Sequence, residues 1–127
     1  MSYTTVNQVP ACGTTVNGMI VFPDSFTWPA IVNALTTLDA SSSWGVNKLT
    51  EAQWSLLEQQ GAVFLPAAGY RIWTSVYNAG TYGCYWSSTY SNSTYTRSLY
   101  FFSGDVDPKY NDVRYNGFSV RLVCPAE

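Results

Sequence analysis

Histidine is absent from the 127-residue chain, and that absence removes several classes of enzyme at once. Ser-His-Asp and Cys-His catalysis need an imidazole, and many protein metal sites use imidazole as a ligand. Charged residues are scarce, at 11% against about a quarter in ordinary domains. The six Lys and Arg residues are scattered and the net charge is −2, whereas a nucleic-acid surface needs clustered cations. We therefore expect neither an imidazole-dependent enzyme nor a nucleic-acid-binding protein.

Long apolar runs are also missing, since no stretch approaches the roughly 20 residues of a membrane-spanning helix. We predict no membrane insertion. The opening MSYTTVNQVPACG lacks the basic and apolar segments of a signal peptide. The three cysteines match no zinc-binding spacing and allow at most one internal disulfide, so Cys84 and Cys124 are either bridged or free. We expect no metal site and no cofactor.

Aromatic residues are abundant, at 17%, and apolar residues make up 46% of the chain. A chain of this length with that much apolar area has enough material for a hydrophobic core. We therefore predict one folded domain over residues 1–127.

Two helices are predicted in the first half. Apolar residues at helical spacing after Pro29, in TWPAIVNALTTLDA, predict a helix over about 28–40. In LTEAQWSLLEQQG, Thr50 and Gln53 form a capping-box pattern, which predicts a second helix over about 51–60.

Strands and loops are predicted for the rest of the chain. The first 18 residues are polar and indicate an extended lead-in with one short strand at most. Short apolar runs predict strands at 19–22 and 62–65, and the alternating GFSVRLVC near the end predicts another. Two polar stretches, 76–83 and 103–116, are predicted to be long loops, and loops of that length are often functional. Helices first and antiparallel strands afterwards make an α+β fold.

The most unusual segment is YWSSTYSNSTYTRSLYFFSGD, which begins at Tyr85. Tyrosines recur every five residues among Ser, Thr and Asn, and a period of five matches neither one helix face nor one strand face. Tyrosine with Ser, Asn and Gly is the composition of antibody binding loops, because Tyr offers rigid contact area and small polar residues offer adaptable hydrogen bonds. Sugars also stack on tyrosine, so composition leaves protein and glycan ligands both open. Trp86, Leu99 and Phe101 are interpreted as framework.

Asp105 and Asp107 form the carboxylate pair that most resembles a chemical site. They would supply half of a calcium or acid–base site, or they are solvated turn residues. Asp is a common turn former, so we favour the second interpretation.

Four phrases, GAVFLPAAGYR, GCYWSST, SLYFFSGDVDP and RYNGFSVRLV, occur in that order and resemble the Fibrobacter succinogenes major paralogous domain. The resemblance covers about residues 19–123. It implies a C-type lectin-like fold of the group related to formylglycine-generating enzyme. In that fold two helices from the first half pack on a small antiparallel sheet with long loops.

The resemblance also implies a function. Such domains are common in surface proteins of gut Bacteroidetes, and the fold is used by variable proteins of diversity-generating retroelements, including those of bacteriophages. There, adenine-directed mutagenesis rewrites codons near the end of the gene, and residues 82–116 have the matching Tyr/Ser/Asn/Asp/Thr texture. The sequence lacks the cysteine surroundings of formylglycine-generating enzyme, so the resemblance does not imply that enzyme's activity. It also lacks the EPN, QPD and WND motifs of calcium-dependent lectins, so calcium-dependent sugar binding is not implied either. A bacterial cell surface or phage particle is the implied location.

We therefore expect a non-enzymatic ligand-binding or display domain whose partner is a protein or glycan on a cell surface. The alternative is an invariant surface adhesin or glycan-binding module. The ligand's identity and the oligomeric state are left open. The residues predicted to contact ligand are Tyr90, Asn92, Tyr95, Arg97, Tyr100, Asp105, Asp107, Tyr110, Asn111, Asp112, Tyr115 and Asn116.

Overall fold

Strands dominate the fold, which is the main correction to the sequence prediction. The computed structural model describes residues 2–11, 13–27 and 43–123, with 54% of the structure in strands and 9% in helix. The predicted α+β, C-type lectin-like arrangement of two helices on a small sheet is wrong, because these ranges contain a single short helix and three sheets. The helix predicted over about 28–40 lies outside the described residues.

Most elements of the described residues are short strands that pair antiparallel. In chain order they are β1 (Ser2–Ala11), β2 (Thr14–Phe22), β3 (Asn47–Lys48), α1 (Glu51–Gln59), β4 (Val63–Pro66), β5 (Tyr70–Ile72), β6 (Ser75–Tyr77), β7 (Gly83–Tyr90), β8 (Tyr95–Phe102) and β9 (Asp105–Val113). A central sheet has the order β3-β1-β2-β4, an outer sheet has the order β7-β8-β9, and β5 pairs with β6 as a separate hairpin.

The strands Ser2–Ala11 and Thr14–Phe22 form a long hairpin, so the predicted lead-in with one short strand is wrong. β1 and β2 pair antiparallel, with Val9 opposite Val16. Gly13 lies in the connecting turn with a φ of +77°, a conformation that glycine adopts without steric cost. The polar residues of β1 hid the strand because their partner lies across the turn. Pairing with β2 supplies the backbone hydrogen bonds that stabilise β1, and no local apolar pattern in the sequence indicates this pairing.

The apolar run MIVF is the central segment of the fold, and its prediction as a strand is confirmed within β2. Its side chains alternate between two clusters. Ile20 and Phe22 pack beneath α1 with Val9, Leu49, Leu57 and Ala62. Met19 and Val21 face the outer sheet, where they pack with Leu65, Ala67, Tyr85 and Phe101. Both faces of β2 are covered, which explains why its apolar residues are consecutive rather than alternating.

Helix α1 begins at Glu51, directly after the N-cap Thr50, as the capping-box pattern predicts. The Thr50 hydroxyl accepts a hydrogen bond from the backbone N–H of Gln53 at 3.3 Å, and the Gln53 side chain accepts one from the Thr50 N–H at 2.8 Å. The helix ends at Gln59, before Gly61 with its φ of +87°. Leu57 is completely buried against the central sheet. The prediction of this helix is confirmed because its signals are local.

The outer sheet occupies most of the tract from 82 to 116. Its inner face presents Tyr85 and Phe101 to the central sheet, and the Tyr85 hydroxyl donates to the Pro66 carbonyl at 2.8 Å. The Phe101 ring lies directly over Gly83, at the place where a Cβ atom would stand. The absence of a side chain at Gly83 therefore lets β7 and β8 carry a phenylalanine into the core.

The predicted long loop over 103–116 is wrong, because β9 fills most of it. Pro108 and Lys109 bulge out between two paired stretches of β8 and β9. Such a bulge on an edge strand is one of the few places where a sheet tolerates proline. Residues 117–123, the described part of the closing GFSVRLVC, do not form a continuous strand. Within them only Gly117 and Ser119 bridge to neighbouring strands, and Leu122 is exposed.

Candidate ligand-binding site

The outer face of the outer sheet, turned away from the core, carries a first group of stacked rings. Residues opposite each other on paired strands share a face, and the register places Cys84, Tyr100 and Asp107 together on the outer side. The Tyr100 ring stacks on Tyr110 with 5.0 Å between ring centroids. Tyr82, just before β7, lies 5.5 Å from Tyr100 on its other side.

A second group of rings comes from the β5–β6 hairpin and the segment after β9. Tyr70 packs edge-on against Phe118 at 6.1 Å, and Phe118 stacks on Trp86 at 4.2 Å. Backbone hydrogen bonds hold this group in place. Arg71 and Gly117 exchange two N–H···O=C bonds of 2.8 Å each. The hairpin is thereby fastened beside the outer sheet.

A cleft of about 270 Å³ separates the two groups of rings, and we call it the aromatic cleft. Its polar end is built by Asp112 and Asn116. The Asp112 Oδ1 accepts hydrogen bonds from the Val113 N–H and from the Asn116 side-chain amide, both at 2.8 Å. The Asn116 Oδ1 is buried and has no hydrogen-bond partner among the residues that the structure describes. The cleft is lined by Tyr70, Ile72, Tyr82, Cys84, Tyr100, Tyr110, Asp112, Asn116 and Phe118.

Cys84 lies at the base of the cleft as a buried free thiol, whereas Cys12 and Cys124 fall outside the described residues. Burial, with a smaller contribution from the nearby Asp112 carboxylate, raises the pKa of Cys84 to about 12. Burial also raises the pKa of Tyr100 to about 12, with a contribution from the adjacent Tyr82. A thiol that stays protonated is a poor nucleophile, so Cys84 lacks the lowered pKa that is typical of reactive cysteines.

The predicted tyrosines differ in exposure. Tyr90 and Tyr115 are 68% and 73% exposed, Tyr95 and Tyr110 are less so, and Tyr100 is half-buried in the aromatic cleft. The Arg114 guanidinium lies 6.0 Å from the centre of the Tyr90 ring, within the range of a cation–π contact. Tyr90 therefore lies in a shallow hollow of its own, separate from the cleft.

Several predicted polar residues hold the backbone. Asn92 Oδ1 accepts the N–H groups of residues 94 and 95 at 2.9 and 2.8 Å and so shapes the β7–β8 turn. Asp107 Oδ1 accepts the Lys109 N–H at 2.8 Å, and Arg97 donates to the Lys109 carbonyl at 2.7 Å. The bulge is therefore fixed from both sides. Asp105 Oδ1 accepts the neighbouring Val106 N–H in the same way.

The structure brings together only part of the predicted set. Tyr100, Tyr110, Asp112 and Asn116 meet in the aromatic cleft. The register places Arg97 opposite Asn111, one residue out of phase with the outer-facing pairs, so both are directed to the other face of the sheet. Tyr95, opposite Val113, shares that face.

Sequence reasoning missed the hairpin that completes the site. Trp73, at its tip, is 86% exposed, has a φ of +52°, and packs on Tyr115 with ring centroids 6.3 Å apart. Tyr70, Tyr82 and Phe118 were also missed as cleft residues. The available signal was YRIWTSVY, in which two short β-prone runs flank a two-residue turn.

Metal and membrane features are limited. In residues 2–11, 13–27 and 43–123, no three His, Cys, Asp or Glu side chains group together as a metal site would require. Over the same ranges, no helix has the length and apolar character needed to cross a membrane.

Together, the fold and the cleft define a β-rich domain with a ring-lined cleft beside one sheet. A family model described as a domain of unknown function (DUF8237) matches residues 34–123, and the chain belongs to that family. The match contains the whole outer sheet and the aromatic cleft. No curated protein and no solved structure matches the chain. The resemblance to the Fibrobacter succinogenes domain stays a prediction.

Proposed function

We propose that the domain is a non-enzymatic ligand-binding module that contacts its ligand with the outer face of the β7–β8–β9 sheet and the tip of the β5–β6 hairpin. The observation that carries this proposal is the concentration of accessible rings there. Trp73, Tyr90, Tyr110 and Tyr115 are all exposed. Exposed aromatic groups of this kind mark recognition surfaces, because Trp and Tyr dominate the energetics of binding interfaces.

The tract also separates framework from contact surface. Gly83, Tyr85 and Phe101 are buried, and they fix the strands against the core. Tyr90 and Tyr115 are largely exposed, so we expect the scaffold to tolerate their exchange. This separation supports our proposal that the domain is a variable protein of a diversity-generating retroelement, displayed on a cell surface or phage particle.

An invariant adhesin or glycan-binding module is the second candidate. The aromatic cleft favours it, because a hollow lined by rings with polar groups at one end suits one particular small ligand. The gene's surroundings discriminate between the two. A neighbouring reverse transcriptase gene and a near-copy of codons 82–123 that differs only at adenines would establish diversification, and their absence from the genome would reject it.

Ligand binding itself is tested by probing arrays of cell-surface proteins and glycans with the intact chain. A triple variant, Trp73→Ala with Tyr90→Ala and Tyr115→Ala, removes three exposed rings. Each anchor is worth about 2 kcal/mol when it contributes to a binding site, so we expect the variant to lose every interaction the wild type makes. Tyr3→Ala is the matched control, since Tyr3 is similarly exposed but lies on β1 in the central sheet. Equal binding by the triple variant and the wild type would contradict the proposed face.

A further inference from the structure

The side chains that line the aromatic cleft present negative electrostatic potential and no positive charge. Five of its nine residues present aromatic rings, one presents a carboxylate, and none is Lys or Arg. We propose that the cleft binds a substituted ammonium group, an inference that rests on the proposed ligand-binding function and adds the chemistry of the ligand.

The rings supply the first attraction. The face of an aromatic ring carries negative potential and attracts a cation placed within about 6 Å of the ring centre, most strongly where water is excluded. Tyr100 lies between Tyr82 and Tyr110, with centroid distances of 5.5 and 5.0 Å, so the faces open to a cation are those that this stack leaves uncovered on Tyr82 and Tyr110. Tyr70 and Phe118 border the same space from the other side.

The polar end of the cleft supplies the second attraction. Both hydrogen bonds that Asp112 accepts through its side chain go to Oδ1, which leaves Oδ2 available on the described surface. The buried Asn116 Oδ1 is a further acceptor without a donor in the described part of the chain. The Asn116 amide N–H is already used by Asp112. The cleft therefore offers a carboxylate oxygen, an amide oxygen and ring faces, and a lining with one carboxylate and no Lys or Arg favours a cation over an uncharged ligand.

The size of the cleft fits a small head group. A volume of about 270 Å³ equals the liquid volume of roughly nine water molecules at about 30 Å³ each, enough for a trimethylammonium group with a short chain. The ammonium group would belong either to a soluble molecule or to a choline lipid, and both share the chemistry that the cleft recognises.

The test compares choline with 3,3-dimethylbutan-1-ol, which has the same shape without the charge. Binding is followed by NMR through the side-chain amide of Asn116 and the ring signals of Tyr100 and Tyr110. We expect saturable shifts with choline and at least tenfold weaker binding of the alcohol. Asp112→Asn keeps an acceptor for the Val113 N–H and should weaken choline binding at least fivefold without changing the alcohol. Asp105→Asn, an exposed carboxylate on the same strand outside the cleft, should change neither.

Equal binding of the two probes would overturn the inference, since the cleft would then be a simple apolar hollow. Saturable binding of methyl α-glucoside without choline binding would also overturn it, in favour of a sugar subsite. Phosphatidylcholine vesicles separate the sources: binding that free choline displaces indicates a lipid headgroup, and choline binding without vesicle binding indicates a soluble ligand. If no probe binds but the array interactions persist, the ammonium site is rejected while the proposed function stands.

Discussion

The contact between Gly83 and Phe101 predicts a large effect from a single methyl group. In Gly83→Ala the new Cβ would overlap the Cζ and Cε1 atoms of the Phe101 ring, and that ring is completely buried. Either the ring stays and β7 moves, or the ring leaves the cluster that it forms with Met19, Leu65 and Tyr85. Overpacking of a filled core costs about 1–3 kcal/mol, and expelling a Phe side chain costs about 1.5–3 kcal/mol. We expect the free energy of unfolding to fall by about 2–3 kcal/mol.

Urea unfolding followed by tryptophan fluorescence measures this change. The decisive comparison is a double-mutant cycle with Phe101→Leu, because the smaller leucine leaves room for the methyl group. The double variant should lose at least about 1 kcal/mol less than the sum of the single losses, which is a typical coupling energy for residues in contact. Gly117→Ala is the matched control, since its methyl group would meet only the Arg71 side chain and backbone at the surface. Additive single losses, or equal losses at 83 and 117, would refute the described packing of β7 on β8.

Three further predictions concern the hairpin tip, the buried acids and the helix cap. Trp73→Asn should raise the free energy of unfolding by about 0.5–1 kcal/mol, because a left-handed backbone strains Trp more than Asn. The same variant should bind more weakly to the protein and glycan arrays. An unchanged thermal unfolding temperature would contradict the backbone strain. Since the pKa of Cys84 rises from 9.0 to about 12 on folding, the free energy of unfolding should fall between those pH values by up to about 1.4 kcal/mol per pH unit from that thiol. Tyr85 adds to the fall above pH 10, so Cys84→Ala should reduce the slope without abolishing it in urea titrations at each pH. Thr50→Ala removes the N-cap acceptor and should cost about 1 kcal/mol by urea unfolding, with Ser55→Ala, inside the same helix, as a control of smaller effect.

Sequence reasoning worked where the determining contacts are local. The cap of α1 is readable because Thr50 and Gln53 are three residues apart and bond to each other. The MIVF strand is readable because both its faces are buried, which makes the apolar run continuous. Neither inference depends on knowing where the rest of the chain lies.

Sequence reasoning failed where pairing with another strand determines the structure of a segment. β9 was predicted as loop because Asp, Asn and Pro dominate its sequence, yet pairing with β8 makes it a strand and a bulge accommodates Pro108. The same holds for β1, whose polar residues pair across the turn at Gly13. A pattern of turn-forming residues records local preference, and a sheet overrides that preference when it supplies the hydrogen bonds.

The candidate site was predicted in part for the same reason. Four of its lining residues, Tyr100, Tyr110, Asp112 and Asn116, belong to the tract that the composition singled out. Tyr70 and Phe118 join them only because Arg71 and Gly117 pair across a gap in the sequence. The composition predicted a recognition surface without indicating that a cleft lies within it.

The bulge in β9 has a consequence for how the chain behaves at high concentration. β9 is the edge strand of the outer sheet, and an edge rich in tyrosine would otherwise offer unpaired backbone groups to the edge of a second molecule. Pro108 lacks a backbone N–H, Lys109 adds a charge, and Asp107 and Arg97 hold both residues out of register. The β9 edge is therefore protected against pairing with the β9 edge of a second molecule, even when the protein is highly concentrated.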